Sequence, residues 1–171
     1  AAKRQLSGAL QYDAAFDSFS AQTLSLLTEL RHAVEHHELR LYLQPKVPLH
    51  GQPGLAAEAL VRWQHPQRGL VPPMQFIPFA EQTGFVRHLT LWMFEEVARL
   101  LADPRTQGLP LRVSVNLSTR DLLDPELSHR LADILVRHGV AASAFCLEIT
   151  ESAIMDDPQR AEAMLNRLSE Q

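Results

Sequence analysis

The stretch Leu55-Ala56-Ala57-Glu58-Ala59-Leu60-Val61-Arg62 decides the fold. Side chains alternate across a strand, so Ala57, Ala59 and Val61 share an apolar face and Glu58 stands on the other. Two later stretches repeat this design. In residues 111–117, Leu111, Val113, Val115 and Leu117 share one face, with Ser114 and Asn116 opposite. In residues 144–150, Phe145, Leu147 and Ile149 share one face, with Cys146, Glu148 and Thr150 opposite. An earlier strand is expected over residues 39–47, where Leu39, Leu41 and Leu43 alternate with Arg40, Tyr42 and Gln44. A Gly- and Pro-rich turn at residues 50–54 separates it from the quoted stretch.

Helical periodicity fills the spaces between these strands. Leu24, Leu27, Leu30 and Val34 predict a helix over residues 20–37. A loop with Pro66, Gly69, Pro72 and Pro73 leads to a short helix over residues 74–82, stopped by Gly84. A longer helix follows over residues 86–102, with Leu89, Trp92, Met93, Val97, Leu100 and Leu101 on its apolar stripe. Asp124-Pro125 and Asp157-Pro158 each read as an N-cap followed by proline at the first helical position. Gly139 sits where a left-handed C-cap belongs. Strands alternating with helices predict an α/β protein with a mostly parallel sheet.

Composition narrows the class. Hydrophobic residues make up 46% and charged residues 21%, which excludes a disordered chain. The net charge of −4 offers no basic surface for a nucleic-acid polymer or an acidic membrane. No apolar run is long enough to span a bilayer. The lone Cys146 excludes an internal disulfide and fits the cytoplasm. The 171 residues exceed a minimal domain but fall short of a complete (β/α)8 barrel, which takes about 250.

Glu58, Asn116 and Glu148 stand on the polar faces of three strands, near the ends where parallel α/β folds place their active sites. Three converging oxygen ligands suit a hard divalent cation such as Mg²⁺. Each residue taken alone also fits a simpler role: a carboxylate at the strand rim, a turn at Asn116, an arginine pair at Glu148. The eight histidines lack metal-ligand spacing, and His36-His37 reads as a solvated pair favoured by a helix C-terminus. Glu95-Glu96 reads as a solvated helix face and Cys146 as a small buried filler.

Five blocks in order resemble the EAL domain, the cyclic di-GMP phosphodiesterase family. They are LYLQPKV at 41–47, AEALVRWQHP at 57–66, FIPFAEQTG at 76–84, VSVNLS at 113–118 and LEITES at 147–152. The resemblance runs from about Leu24 to the end, and residues 1–20 resemble a linker or the tail of an upstream GGDEF-like domain. It implies the N-terminal half of a modified (β/α)8 TIM-type barrel with an antiparallel first strand. It further implies hydrolysis of cyclic di-GMP to linear pGpG with two divalent cations, Mg²⁺ or Mn²⁺. By motif, Glu58, Asn116 and Glu148 become metal ligands, and Glu58 and Glu148 catalytic. Arg62 becomes a phosphate contact, Gln44 a position near the nucleotide, and Glu151 a loop-stabilising glutamate near the interface of a homodimer. Trp63, His65 and Pro66 are assigned to packing and loop shape.

The family's Asp-Asp block (D-D-F-G) and catalytic lysine block (K-I-D) do not occur in these residues. The expectation is therefore the N-terminal portion of an EAL domain over residues 21–171, inactive by itself and part of an active, cytoplasmic, GGDEF-linked enzyme. The alternative is a degenerate EAL domain that senses cyclic di-GMP without hydrolysing it.

Overall fold

The computed structural model describes residues 15–50, 54–106, 108–150, 154 and 157–171, with the backbone alone for 15–24. Five strands form one mixed sheet: β1 (Leu39–Lys46), β2 (Leu55–His65), β3 (Gly69–Val71), β4 (Leu111–Leu117) and β5 (Phe145–Ile149). The helices are α1 (Ala15–Glu35), α2 (Ile77–Thr83), α3 (Val86–Ala102), α4 (Thr119–Leu122), α5 (Leu127–His138) and α6 (Pro158–Ser169). None is long and apolar enough to cross a membrane.

The sheet order is β1-β2-β4-β5, with β3 paired to β2. β2, β4 and β5 are parallel, with Glu58 opposite Ser114 and Asn116 opposite Glu148. β1 runs antiparallel to β2 and sets Gln44 opposite Glu58. The apolar faces read for β2, β4 and β5 point to the helices, whereas Leu43 of β1 is exposed. Val113, Val115, Leu117 and Phe145 pack with Met93, Phe94 and Val97 of α3, Leu131 and Ile134 of α5, and Met164 of α6. A second cluster joins Leu30 and Ala33 of α1 to Leu39, Trp63, Phe76 and Leu89.

Several boundaries differ from the sequence reading. α1 begins at Ala15, inside the segment expected as linker, and no Gly or Pro interrupts residues 15–20. It stops at Glu35. His37 then takes a left-handed φ of 55°, and Glu38 N–H donates to Ala33 O at 2.9 Å. Gly139 closes α5 in the same way, with Val140 N–H donating to Leu135 O at 3.0 Å. His36 stacks on His32, with ring centroids 3.6 Å apart, and both His36 and His37 are exposed at the end of α1, as expected.

β2 runs three residues past Arg62 because residues 63–65 pair with β3, a hairpin that Pro66 and Gly69 had made look like loop. Asp124 does not cap α5, which starts three residues later at Leu127. Instead Ser118 caps the separate short helix α4, and Asp124 Oδ1 accepts from Glu126 N–H at 3.1 Å in the turn between them. Asp157 does cap α6, accepting from Arg160 N–H at 3.3 Å. Residues 51–53 of the expected turn lie outside the described residues.

Candidate functional site

Register places one row of side chains on the sheet face turned away from the helices. Gln44 and Lys46 come from β1, Glu58, Leu60 and Arg62 from β2, Ser114 and Asn116 from β4, and Cys146 and Glu148 from β5. Within this face Asn116 Nδ2 donates to Glu58 Oε1 at 2.8 Å. Lys46 reaches across β2, donating from Nζ to Ser114 Oγ at 2.8 Å and pairing with the Glu148 carboxylate. The hydrogen bond to Glu148 raises the Lys46 pKa, and the charges of Glu148 and Glu58 add to that effect. In return Lys46 lowers the Glu148 pKa, helped by a hydrogen bond with Ser114.

The three expected ligands therefore share one face. Glu58 is the last residue of β2 paired with β4, although β2 itself continues to His65. Gln44 is its cross-strand neighbour, a spacing at which Cβ atoms lie about 5 Å apart. Arg62 sits four residues beyond Glu58, about 13 Å along the strand. Its guanidinium lies 5.7 Å from the Tyr42 ring centroid, and Nη1 donates to Val61 O at 2.9 Å. Glu151 lies outside the described residues. Trp63 is fully buried and donates to Glu38 Oε2 at 3.0 Å, while His65 Nδ1 accepts from the backbone of Gln67 and Arg68, so both serve packing and loop shape.

Lys46 and Ser114 complete the site without having been assigned a role in it from the sequence. The signal was present: Lys46 shares strand parity with Gln44, Ser114 shares it with Asn116, and Lys46 is one of just two lysines in the chain. A cavity of about 730 Å³ opens beside Asn116, walled by Leu60, Ile77, Leu89 and Met93.

Among the described residues, no three His, Cys, Asp or Glu side chains group as a metal site. On this face the Asn116 amide oxygen would be the further donor beside the two carboxylates. The donor set fits a cation. Its oxygens are hard donors, and the oxygens of Glu148 and Ser114 already hold a cation, the Lys46 ammonium. Turning over the Asn116 amide would present Oδ1 in place of Nδ2.

The fold and this polar face define an α/β domain with an oxygen-rich site on its sheet, and residues 27–171 match the model of the EAL domain. The chain belongs to the EAL domain family. It is 37% identical over 147 residues to the cyclic di-GMP phosphodiesterase PdeR of Escherichia coli, covering 86% of this chain and 22% of that protein. It is 35% identical over 159 residues to the bifunctional diguanylate cyclase/cyclic di-GMP phosphodiesterase MucR of Pseudomonas aeruginosa, covering 92% of this chain and 23% of that one. Among solved structures, the MucR phosphodiesterase in complex with c-di-GMP superimposes with a TM-score of 0.78 at 37% identity, over 85% of this chain and 59% of the other. The c-di-GMP-bound FimX EAL domain of Pseudomonas aeruginosa gives 0.76 at 26% identity, over 84% and 57%. The chain thus spans under a quarter of these curated relatives and under three fifths of these solved chains.

Proposed function

We propose that residues 21–171 are the N-terminal portion of an EAL domain, the first part of a modified (β/α)8 barrel with β1 as its antiparallel strand. The protein that contains it hydrolyses cyclic di-GMP to linear pGpG with Mg²⁺ or Mn²⁺. One observation carries this reading. Glu58, Asn116 and Glu148, drawn from three separate family blocks, meet on one sheet face, with Asn116 bonded to Glu58 and opposite Glu148.

In this reading Glu58, Asn116 and Glu148 hold the cation. Bound there, divalent cations offset the charge of a phosphodiester and lower the pKa of a bound water. Arg62 binds phosphate oxygens through its planar fork, a geometry lysine does not reproduce. Its contact with the Tyr42 ring holds the guanidinium on the polar face. Gln44 borders the nucleotide beside Glu58. Glu151 steadies the loop after the strand that follows β5 in the family, near the dimer interface. The same reading makes the protein a cytoplasmic homodimer, with residues 1–20 trailing an upstream GGDEF-like domain.

Turnover tests it. The full-length protein with Mn²⁺ is expected to convert cyclic di-GMP to pGpG, read by chromatography, and Glu58→Ala is expected to lower kcat by about a thousandfold or more. Near-normal activity of that variant would refute the site. Cyclic di-GMP binding without turnover by the wild type would assign the protein as a sensor. Residues 1–171 alone are expected to be inactive, because the family's Asp-Asp and lysine blocks do not occur in them.

A further inference from the structure

We infer that Lys46 is a built-in counter-ion of the metal site, which an incoming divalent cation must displace from Glu148. Lys46 thereby sets the affinity of the site for metal. The inference rests on the metal-site reading above and extends it to a residue that reading does not use. Lys46 stands on β1, two strands away from β4, yet its side chain crosses β2 to reach Ser114 and Glu148. Glu58, the other carboxylate of the proposed ligand set, stands on the same sheet face and is bonded to Asn116.

A single positive charge placed there neutralises part of what would attract a divalent ion. The ammonium and the ion cannot share the Glu148 oxygens, because like charges a few ångströms apart repel strongly in a partly desolvated site. Lysine can yield. Its charge is a compact group on a flexible four-carbon stem, and its side chain is 39% exposed, which leaves a path to solvent. Such exchange keeps Glu148 paired when metal is absent and gives it up when metal arrives.

Calorimetric titration of Mn²⁺ into the full-length protein separates this inference from the reading beneath it. Glu58→Gln and Glu148→Gln are expected to abolish binding. Lys46→Met and Lys46→Gln, checked for folding by circular dichroism, are expected to bind Mn²⁺ about tenfold tighter than wild type or more, the scale on which a neighbouring charge alters proton binding. If binding needs Glu58 and Glu148 but is unchanged or weaker in both Lys46 variants, the Lys46 role is overturned and the metal site stands. If Mn²⁺ fails to bind wild type and Lys46 variants alike, or binds regardless of Glu58 and Glu148, both fall.

A second measurement uses the wild type alone. The chain's other lysine, Lys3, lies far from the site in sequence and serves as an internal reference for acylation followed by mass spectrometry. Saturating Mg²⁺ is expected to speed Lys46 acylation several-fold with Lys3 unchanged. An unchanged Lys46 rate while Mg²⁺ is bound would overturn the inference.

Discussion

Asp121 fixes the end of the strand that carries Asn116. Its Oδ2 accepts from Ser118 N–H at 2.8 Å, from Ser118 Oγ at 2.6 Å and from Thr90 Oγ1 at 3.0 Å. Its Oδ1 is buried and lacks a hydrogen-bond partner among the described residues. Burial pushes the Asp121 carboxyl up, against those three donors and Arg87. Asp121→Ala leaves three donors unpaired and is expected to cost about 2 kcal/mol in denaturant unfolding. Asp121→Asn keeps an acceptor and removes the buried charge, so it is expected to match or exceed wild type at pH 7. The sign follows from the raised pKa: the folded wild type binds a proton more readily than the unfolded chain, so the advantage of Asn shrinks as pH falls. None of this was legible in the sequence, where Asp121 looks like any polar residue before a helix. Glu58, Asn116 and Glu148 were legible, because strand parity alone separates them from their apolar neighbours.

At the scale of elements, Glu95 ties α3 to α5. Its oxygens meet Arg137 Nη1 at 2.9 Å and His138 Nε2 at 2.7 Å, with Arg99 at 3.9 Å on its own helix. This corrects the expectation of a solvated face, because the partners lie more than forty residues away and helical spacing cannot show them. Burial works against the Glu95 charge, but the His138 hydrogen bond and the nearby arginines lower its pKa overall. A depressed carboxylate contributes stability above its unfolded value of 4.5, lost as pH falls through the folded value. Glu95→Gln is expected to cost roughly 1 kcal/mol at pH 7, and the gap from wild type should narrow in urea melts as pH falls below 4.5 and through the lowered folded value. A gap that persists at low pH would assign the loss to packing. Local signals set α3 and β4 to the residue. They missed the β2–β3 hairpin and misplaced the start of α5, because pairing with β2 and the Ser118 cap override what Pro66 and Asp124-Pro125 suggest.

Over the whole molecule, one sheet divides two environments. Its apolar face buries against α3, α5 and α6, and its polar face gathers oxygen donors near Glu58 and a guanidinium near Tyr42. In the proposed function, Glu58 and Arg62, four residues apart on β2, do different work. Arg62→Lys in the full-length protein is expected to raise KM for cyclic di-GMP about tenfold, through loss of a bidentate phosphate contact, with a smaller effect on kcat. A fall in kcat at constant KM would instead place Arg62 at the reacting bond. Strand parity puts Lys46 on the polar face, but its contacts with Ser114 and Glu148 cross to strands that only the fold brings alongside. The most direct test of the account is an anomalous difference map from crystals grown with Mn²⁺. A peak is expected within coordination distance, about 2.1 Å, of Glu58, Glu148 and the Asn116 amide oxygen, with Lys46 withdrawn from Glu148. A peak elsewhere, or density for Lys46 still on Glu148 with no metal bound, would contradict it.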